Sequence, residues 1–273
     1  MKKVFLMLAI GAMMMVACDK VDEYTSPAGA IGEWTEGSGV TNQDQRALVE
    51  KYTGAKCVNC PNGDKIIANA HETYGDKMIA IAIDGPGPMG IPYNNEINTH
   101  TAEGDAWAEY FGINALPMAL INRSKESGTW QLINVDAIPN TVDAIVNQQA
   151  SIAVAIENHV SSEKSNTTVN LEFLQAIEEP LTLTLLVVED SIKAKQLTPE
   201  GLDKNYMHNH VLRDVVTDLW GMDVDATGAQ GERRKVTLSF DINPTWKIKD
   251  CQIIAFVSTK DGREIINSAS CKL

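Results

Sequence analysis

Two cysteines at C-x-x-C spacing stand between a predicted strand and a predicted helix, and this placement constrains the fold more than any other feature. Cys57 and Cys60 follow the strand-like residues 46–53. Apolar residues at helical spacing then predict a helix over 62–74, and 78–84 has the composition of a buried parallel strand. The positive end of a helix dipole stabilises a thiolate, and the spacing lets one thiol reach the other. The segment is predicted to be a β-turn-α-β unit with a redox-type cysteine pair.

The residues after this unit contain a second pattern. A helix is predicted over 105–113, and an apolar strand over 118–122 is opened by Pro117. This order resembles the second half of the thioredoxin fold, with a last strand expected over 128–135 and a closing helix over 139–150. The resemblance implies a thioredoxin-like α/β domain over residues 46–150. It also implies that Pro117 is cis and packs beside the cysteine pair.

Three features depart from the thioredoxin pattern. The dipeptide between the cysteines is Val58-Asn59, so no redox potential follows by analogy. Glu50 is one residue out of register with the buried acid of thioredoxins, and a solvent-facing strand position explains it equally well. Residues 85–104 are rich in Gly and Pro and are predicted to form a long loop that crosses near the site.

The N-terminus has the features of an export signal. Lys2 and Lys3 precede an apolar run that ends at Ala17-Cys18, the pattern of a bacterial lipobox. We predict a signal peptide over 1–17, lipidation of Cys18 and an acidic flexible tether over 18–45. An ordinary signal peptide with a chance cysteine is the alternative. The acidic residues after Cys18 resemble the surface-export signal of Bacteroidetes lipoproteins, and periplasmic retention stays open.

Two further cysteines, Cys251 and Cys271, lie on two predicted strands near the C-terminus. A three-residue loop of 260–262, with Gly262 left-handed, would place the two cysteines opposite each other. The sequence therefore predicts a structural cross-strand disulfide, with two free buried thiols as the alternative. A zinc site of four cysteines is disfavoured because the second pair lacks short ligand spacing.

Residues 151–273 change to strand-like runs separated by turns, which predicts an all-β sandwich of immunoglobulin-like architecture. The segment 190–233 is read as a long connection. It contains His208 and His210, which would share one face of a strand and are weak candidates for a metal pair. Two polar histidines that are surface-exposed or hydrogen-bonded are the favoured interpretation, since no third ligand is visible.

Taken together, the lipobox, the acidic tether, the C-x-x-C unit and the segment 208–214 resemble the 28-kilodalton outer-membrane-protein family of Bacteroidetes. The resemblance covers nearly the whole mature chain. It implies an outer-membrane lipoprotein that faces the periplasm or the outside. It supports fold and location more than activity.

The formal net charge of −13 makes a nucleic-acid partner a poor fit. Hydrolysis is disfavoured because no Ser-His-Asp or H-E-x-x-H pattern is present. The first functional hypothesis is thiol–disulfide exchange on exported or surface proteins without a dissolved cofactor. In it Cys57, as the more exposed residue at the helix start, is the attacking thiol, Cys60 resolves the mixed disulfide, and Pro117 shapes a peptide groove. The alternative is a surface binding or adhesion protein in which both cysteine pairs are structural.

Overall fold

The computed structural model describes residues 32–94 and 96–273, so the predicted signal peptide and Cys18 lie outside the described residues. The helices are α1 (Cys60–Tyr74), α2 (Ala102–Phe111) and α3 (Ile138–Val146). The strands are β1 (Thr35–Glu36), β2 (Ala47–Thr53), β3 (Met78–Asp84), β4 (Met118–Ile121), β5 (Lys125–Glu126), β6 (Thr129–Trp130), β7 (Ile152–Ser161), β8 (Lys164–Phe173), β9 (Leu181–Glu189), β10 (Ile192–Thr198), β11 (Gly201–His208), β12 (Val211–Val215), β13 (Met222–Asp223), β14 (Arg233–Asp241), β15 (Cys251–Thr259) and β16 (Ile265–Lys272). Within this part of the chain, none of the helices has the length and apolar character needed to cross a membrane.

The β2–α1–β3 unit forms as the apolar pattern predicts. β2 and β3 pair in parallel, and β4 pairs with β2 in the antiparallel sense. Every residue of β3 is buried, because helices cover both faces of the sheet here. Ile67 of α1 and Val142 of α3 pack with Met78 on one face, while Trp107 of α2 packs with Ile81 on the other. This layering fixes the start of α1, and with it the cysteine pair.

One eight-stranded sheet continues from the first half of the chain into the second. Its order is β16-β15-β9-β12-β3-β2-β4, with β13 attached to β9. The junction is a parallel pairing of Val211 with Ala82, and the Ala82 amide donates to the His210 carbonyl at 2.7 Å. The sheet thus crosses the domain boundary that the sequence predicts at residue 150.

The second half adds a four-stranded sheet in the order β1-β14-β8-β7. Leu171 and Val236 of this sheet pack against β9 and β15 in one apolar core. Alternate residues of β9 serve two cores: Leu185 faces the four-stranded sheet, and Leu186 faces the core beneath α2. The two halves therefore share a central strand.

Three predicted segments differ from the structure. Residues 32–45 of the predicted tether lie against the protein, because β1 pairs with β14 and the buried Val40 amide donates to Glu172 at 2.8 Å. The strand expected over 128–135 is replaced by the short β5–β6 hairpin and a bridge between Ile133 and Ala119. The connection 190–233 contains β10 to β13, whose polar residues hide the strand pattern.

Candidate functional site

Cys57 and Cys60 form a disulfide at the start of α1. The Cys57 amide donates to the Gly54 carbonyl at 3.0 Å, and Cys60 is the first residue of the helix. Cys57 is 3% exposed and Cys60 is 0% exposed. Cys57 is thus slightly the more exposed of the two cysteines, as expected, but both side chains are buried in this state of the protein. Between them, Val58 is 39% exposed.

A hairpin from the second half of the chain is bonded to the loop that carries the disulfide. This cover hairpin is β10 and β11 with their turn, residues 192–208. The Leu197 amide donates to the Ala55 carbonyl at 2.8 Å. The Gln196 side-chain amide nitrogen lies 3.2 Å from the Gly54 carbonyl oxygen and 3.0 Å from the Cys57 carbonyl oxygen. These bonds attach the cysteine loop to residues that lie more than 130 positions away in sequence.

The Gly- and Pro-rich loop also reaches the cysteine loop, as predicted. The Lys56 amide donates to the Met89 carbonyl at 3.1 Å. Gly54 packs so closely under Met89 that a Cβ at Gly54 would clash with the Met89 carbonyl oxygen. Only glycine fits there, so the contact between the two loops depends on this residue.

A cavity of about 510 Å³ opens between α1 and the tip of the cover hairpin. It is lined on the helix side by Val58, Asn59 and Lys65, and on the hairpin side by Leu202 and Tyr206. Leu202 is 42% exposed, so the cavity presents apolar surface beside the disulfide.

Charged groups pack below the first turn of α1. Lys51 of β2 is 1% exposed, and its ammonium pairs with Asp64 of α1. The Tyr206 hydroxyl donates to the other oxygen of Asp64 at 2.8 Å. Burial, together with the Asp64 carboxylate, raises the pKa of Tyr206, so Tyr206 keeps its proton and stays a donor. Asp64 thereby joins the buried lysine, the helix and the cover hairpin.

Two more titratable groups lie near this cluster. Burial raises the pKa of Asp84, at the end of β3, to about 6, although a hydrogen bond from Thr99 and the charge of Lys51 oppose the shift. Burial lowers the pKa of His208, which stacks edge-on against Tyr206 at 5.0 Å between ring centroids. Such clusters of shifted groups are typical of functional sites.

Pro117 lies at the opposite edge of β2 from β3. The Leu116–Pro117 peptide is cis, as the resemblance implies. Pro117 directly precedes β4, whose Met118 pairs with Tyr52 near the end of β2. Met118 thus lies beside the end of β2 from which the chain enters the cysteine loop. The packing of Pro117 against the disulfide stays a prediction.

The two histidines do not form a metal pair. β11 ends at His208, and His210 has a left-handed φ of 59°, so the strand that would align them is broken. His210 turns to Asp190, with Nδ1 3.3 Å from the carboxylate. Within residues 32–94 and 96–273, no group of three or more His, Cys, Asp or Glu side chains could hold a metal.

Cys251 and Cys271 are free thiols, so the predicted cross-strand disulfide is wrong. The register is the reason. The loop is longer than predicted, with Arg263 rather than Gly262 in the left-handed region, and a bulge follows at 257–258. Cys271 therefore pairs with Ile253. Burial raises the pKa of Cys251 to about 12 and that of Cys271 to about 11, so both thiols stay protonated at neutral pH.

Glu50 is buried, so the solvent-facing interpretation of this residue is wrong. It is 0% exposed and accepts two hydrogen bonds from Arg123, at 2.7 Å from Nη2 and 3.0 Å from Nε. The Arg123 guanidinium lies 4.7 Å from the Trp107 ring and 4.9 Å from the Phe256 ring. Sequence reasoning missed this pair and Lys51. The available signal was two adjacent charged residues in a strand that is buried on both faces.

Comparisons with known proteins give one family match and several similar folds. The profile of the family described as outer membrane protein Omp28 matches residues 104–273. The fold is similar to HBP35 of Porphyromonas gingivalis, with a TM-score of 0.66 and 21% identity over 85% of this chain and 76% of that one. It is also similar to a protein from Agrobacterium tumefaciens, with a TM-score of 0.51 and 14% identity over 84% of this chain and 95% of that one.

A domain of the outer membrane lipoprotein Omp28 from P. gingivalis aligns over 45% of this chain and 88% of its own, at 18% identity and a TM-score of 0.33. No curated protein matches the chain. The two structures with TM-scores above 0.5 show a shared fold, and the profile match is the finding that bears on family.

Proposed function

The chain belongs to the Omp28 family of outer membrane proteins, and we propose that it is an envelope lipoprotein with a covered thiol–disulfide exchange site. In this proposal Cys18 carries the lipid anchor. Residues 46–150 act as a thioredoxin-like half, and residues 151–273 as an immunoglobulin-like half that supplies the cover. The partners are thiols or disulfides of exported or surface proteins.

The observation that carries the proposal is a C-x-x-C disulfide closed across the start of α1 with titratable groups packed beneath it. A helix start favours a thiolate, and a C-x-x-C pair can release a mixed disulfide. Neither feature is needed if the disulfide only holds the loop.

The exchange step follows from the oxidised state. A partner thiolate attacks the Cys57 sulfur, the bond to Cys60 breaks, and its electron pair leaves on the Cys60 sulfur as a thiolate. A second partner thiolate then attacks the mixed disulfide and releases Cys57 as a thiolate. The partner gains a disulfide and the protein gains two electrons. The reverse sequence reduces a partner disulfide.

Attack on Cys57 requires that the cover hairpin moves, because both cysteines are buried in the closed state. The hairpin is a two-stranded sheet with its tip at the cavity, and such ribbons open at lower cost than a core strand. Partner binding at the cavity would favour the open state.

A second function is favoured by the same burial. If the cover never opens, the disulfide is a structural staple and the chain is a surface binding or adhesion protein. The two functions differ in one measurable property, which is whether Cys57 can form a mixed disulfide in the folded protein.

The test uses the chain from residue 19 onward, which keeps every described residue. In the variant Cys60→Ser, Cys57 should attack a small peptide disulfide and stay joined to one of its halves, because no second cysteine can release the mixed disulfide. The adduct is detected by mass spectrometry on the peptide that contains Cys57, which separates it from adducts of Cys251 and Cys271. Cys271→Ser is the matched control, and its Cys57–Cys60 pair should release the peptide. Absence of trapping by folded Cys60→Ser, with trapping after denaturation, would refute exchange and favour the binding protein.

A further inference from the structure

Lys51 is the least expected residue near the disulfide. It lies on β2 between Ala82 of β3 and Ala119 of β4, and it is 1% exposed. A buried ammonium is costly unless it is paired. Its partner Asp64 has a side chain that is 32% exposed, so the ion pair runs from the core toward solvent.

The helix geometry places this ammonium near Cys60. Asp64 follows Cys60 by four residues in α1, so their Cβ atoms lie on one face about 5–6 Å apart. A Cβ at Gly63 would lie 3.2 Å from the Lys51 Cδ, so the lysine stem runs directly beneath this turn. The ammonium bound to Asp64 is therefore within about one helical turn of the Cys60 sulfur.

We propose that Lys51 is a positioning residue for the Cys57–Cys60 pair, whose ammonium stabilises the thiolate of Cys60. The proposal rests on the proposed function and names a residue of the same site. When a partner thiolate attacks Cys57, the electron pair of the broken S–S bond arrives on Cys60. The negative charge then forms in a buried site where the ammonium already lies, so no proton has to enter with it.

Other charged groups around Lys51 set the size of the effect. Asp64 of α1 and Asp84 of β3 carry the opposing negative charges, and His208 and Tyr206 of β11 lie on the cover side. Asp64 competes with the thiolate for the ammonium. The effect of Lys51 is therefore predicted to grow when the Asp64 charge is removed.

This competition gives a test that a structural role cannot imitate. Lys51→Met keeps the stem and removes the cation, and Asp64→Asn keeps the cation and removes its counter-charge. Both variants break the same ion pair, so a structural role predicts that both change the thiol in one direction. The proposal predicts opposite directions for the pKa of Cys60.

The measurement is the pH dependence of Cys60 alkylation in a Cys57→Ser background, read on the Cys60 peptide by mass spectrometry. Lys51→Met should raise the pKa of Cys60 by about one unit, which is about tenfold less thiolate at a fixed lower pH. Asp64→Asn should lower it. Lys125→Met is the matched control, because its ammonium bonds the Gly262 carbonyl away from the disulfide, and it should cause no shift.

A second readout uses the intact pair. In glutathione buffers the Lys51→Met protein should have an equilibrium constant for reduction of Cys57–Cys60 about tenfold lower than that of the unsubstituted chain. Equal pKa values in all variants, or shifts of one sign in Lys51→Met and Asp64→Asn, would overturn the role of Lys51. Failure of Cys60→Ser to trap a partner overturns the proposed function separately, since the pKa measurement needs no partner.

Discussion

Gln196 links the cover hairpin to the cysteine loop, and we predict that its removal speeds reduction of the disulfide in the folded protein. Its side-chain nitrogen reaches the carbonyl oxygens of Gly54 at 3.2 Å, Cys57 at 3.0 Å and Leu197 at 3.0 Å. An amide nitrogen has two hydrogens, so about two of these bonds are made at once. In Gln196→Ala the cover hairpin loses its side-chain attachment to the cysteine loop and keeps the backbone bond from Leu197 to Ala55.

The size of the effect follows from these bonds. A hydrogen bond contributes about 0.5–1.5 kcal/mol, so two contribute about 1–3 kcal/mol to the closed state. Each 1.4 kcal/mol is a factor of ten in the population of the open state. If reduction proceeds through local opening, Gln196→Ala should be reduced by dithiothreitol about 5 to 150 times faster.

The assay is the first-order rate of Cys57–Cys60 reduction at pH 7, followed by trapping and mass spectrometry. Thr198→Ala is the matched control. Thr198 makes two hydrogen bonds inside the hairpin turn, to the Gly201 carbonyl and from the Glu200 amide, and none to the cysteine loop. If both variants are reduced at the rate of the unsubstituted protein, or are accelerated equally, then Gln196 does not hold the cover closed.

Three further predictions concern buried groups. Glu50→Gln should lower the free energy of unfolding in urea by about 3–5 kcal/mol, because it leaves the Arg123 guanidinium buried without its counter-charge. A double variant Glu50→Gln/Arg123→Met that loses as much as the two single variants together would contradict this. The denatured, unreduced chain from residue 19 onward should show two titratable thiols, Cys251 and Cys271, whereas a count of zero would restore the predicted disulfide. The folded state binds the Asp84 proton more tightly than the unfolded state, so stability should fall by on the order of 3 kcal/mol as pH rises from about 4 to about 6, and Asp84→Asn should lack this fall.

The core of the fold was readable from the sequence because its elements carry strong local patterns. The apolar run of residues 78–84 coincides with β3, and the predicted helix over 62–74 lies within α1. The family resemblance is confirmed by the profile match. The continuous sheet was not readable, because its junction at Val211 and Ala82 is one long-range pairing with no local signal.

The candidate site was predictable only in part. C-x-x-C spacing identifies Cys57 and Cys60, but the bonds that attach the cysteine loop to the second half come from Gln196 and Leu197, which lie in a polar segment that the sequence presents as a connection. The predicted pairing of Cys251 with Cys271 was wrong because one extra loop residue and one bulge shift the strand register. Neither feature can be recognised from the composition of the segment.

The family match and the cysteine pair fall on different parts of the chain, and this separation bears on the mechanism. The profile begins at residue 104, after Cys57 and Cys60, and it includes the whole cover hairpin. Membership of an outer membrane family therefore describes the half that closes over the disulfide, and says nothing of the disulfide itself. Because β9 and β12 carry the hairpin and also pair into the sheet that holds β3, a partner that shifts the second half would act on the cover through the shared sheet. In the proposed function, exchange and partner binding would then be linked through this sheet. Gln196→Ala removes the side-chain bonds between hairpin and cysteine loop, so in that variant the disulfide should react faster even when no partner is bound.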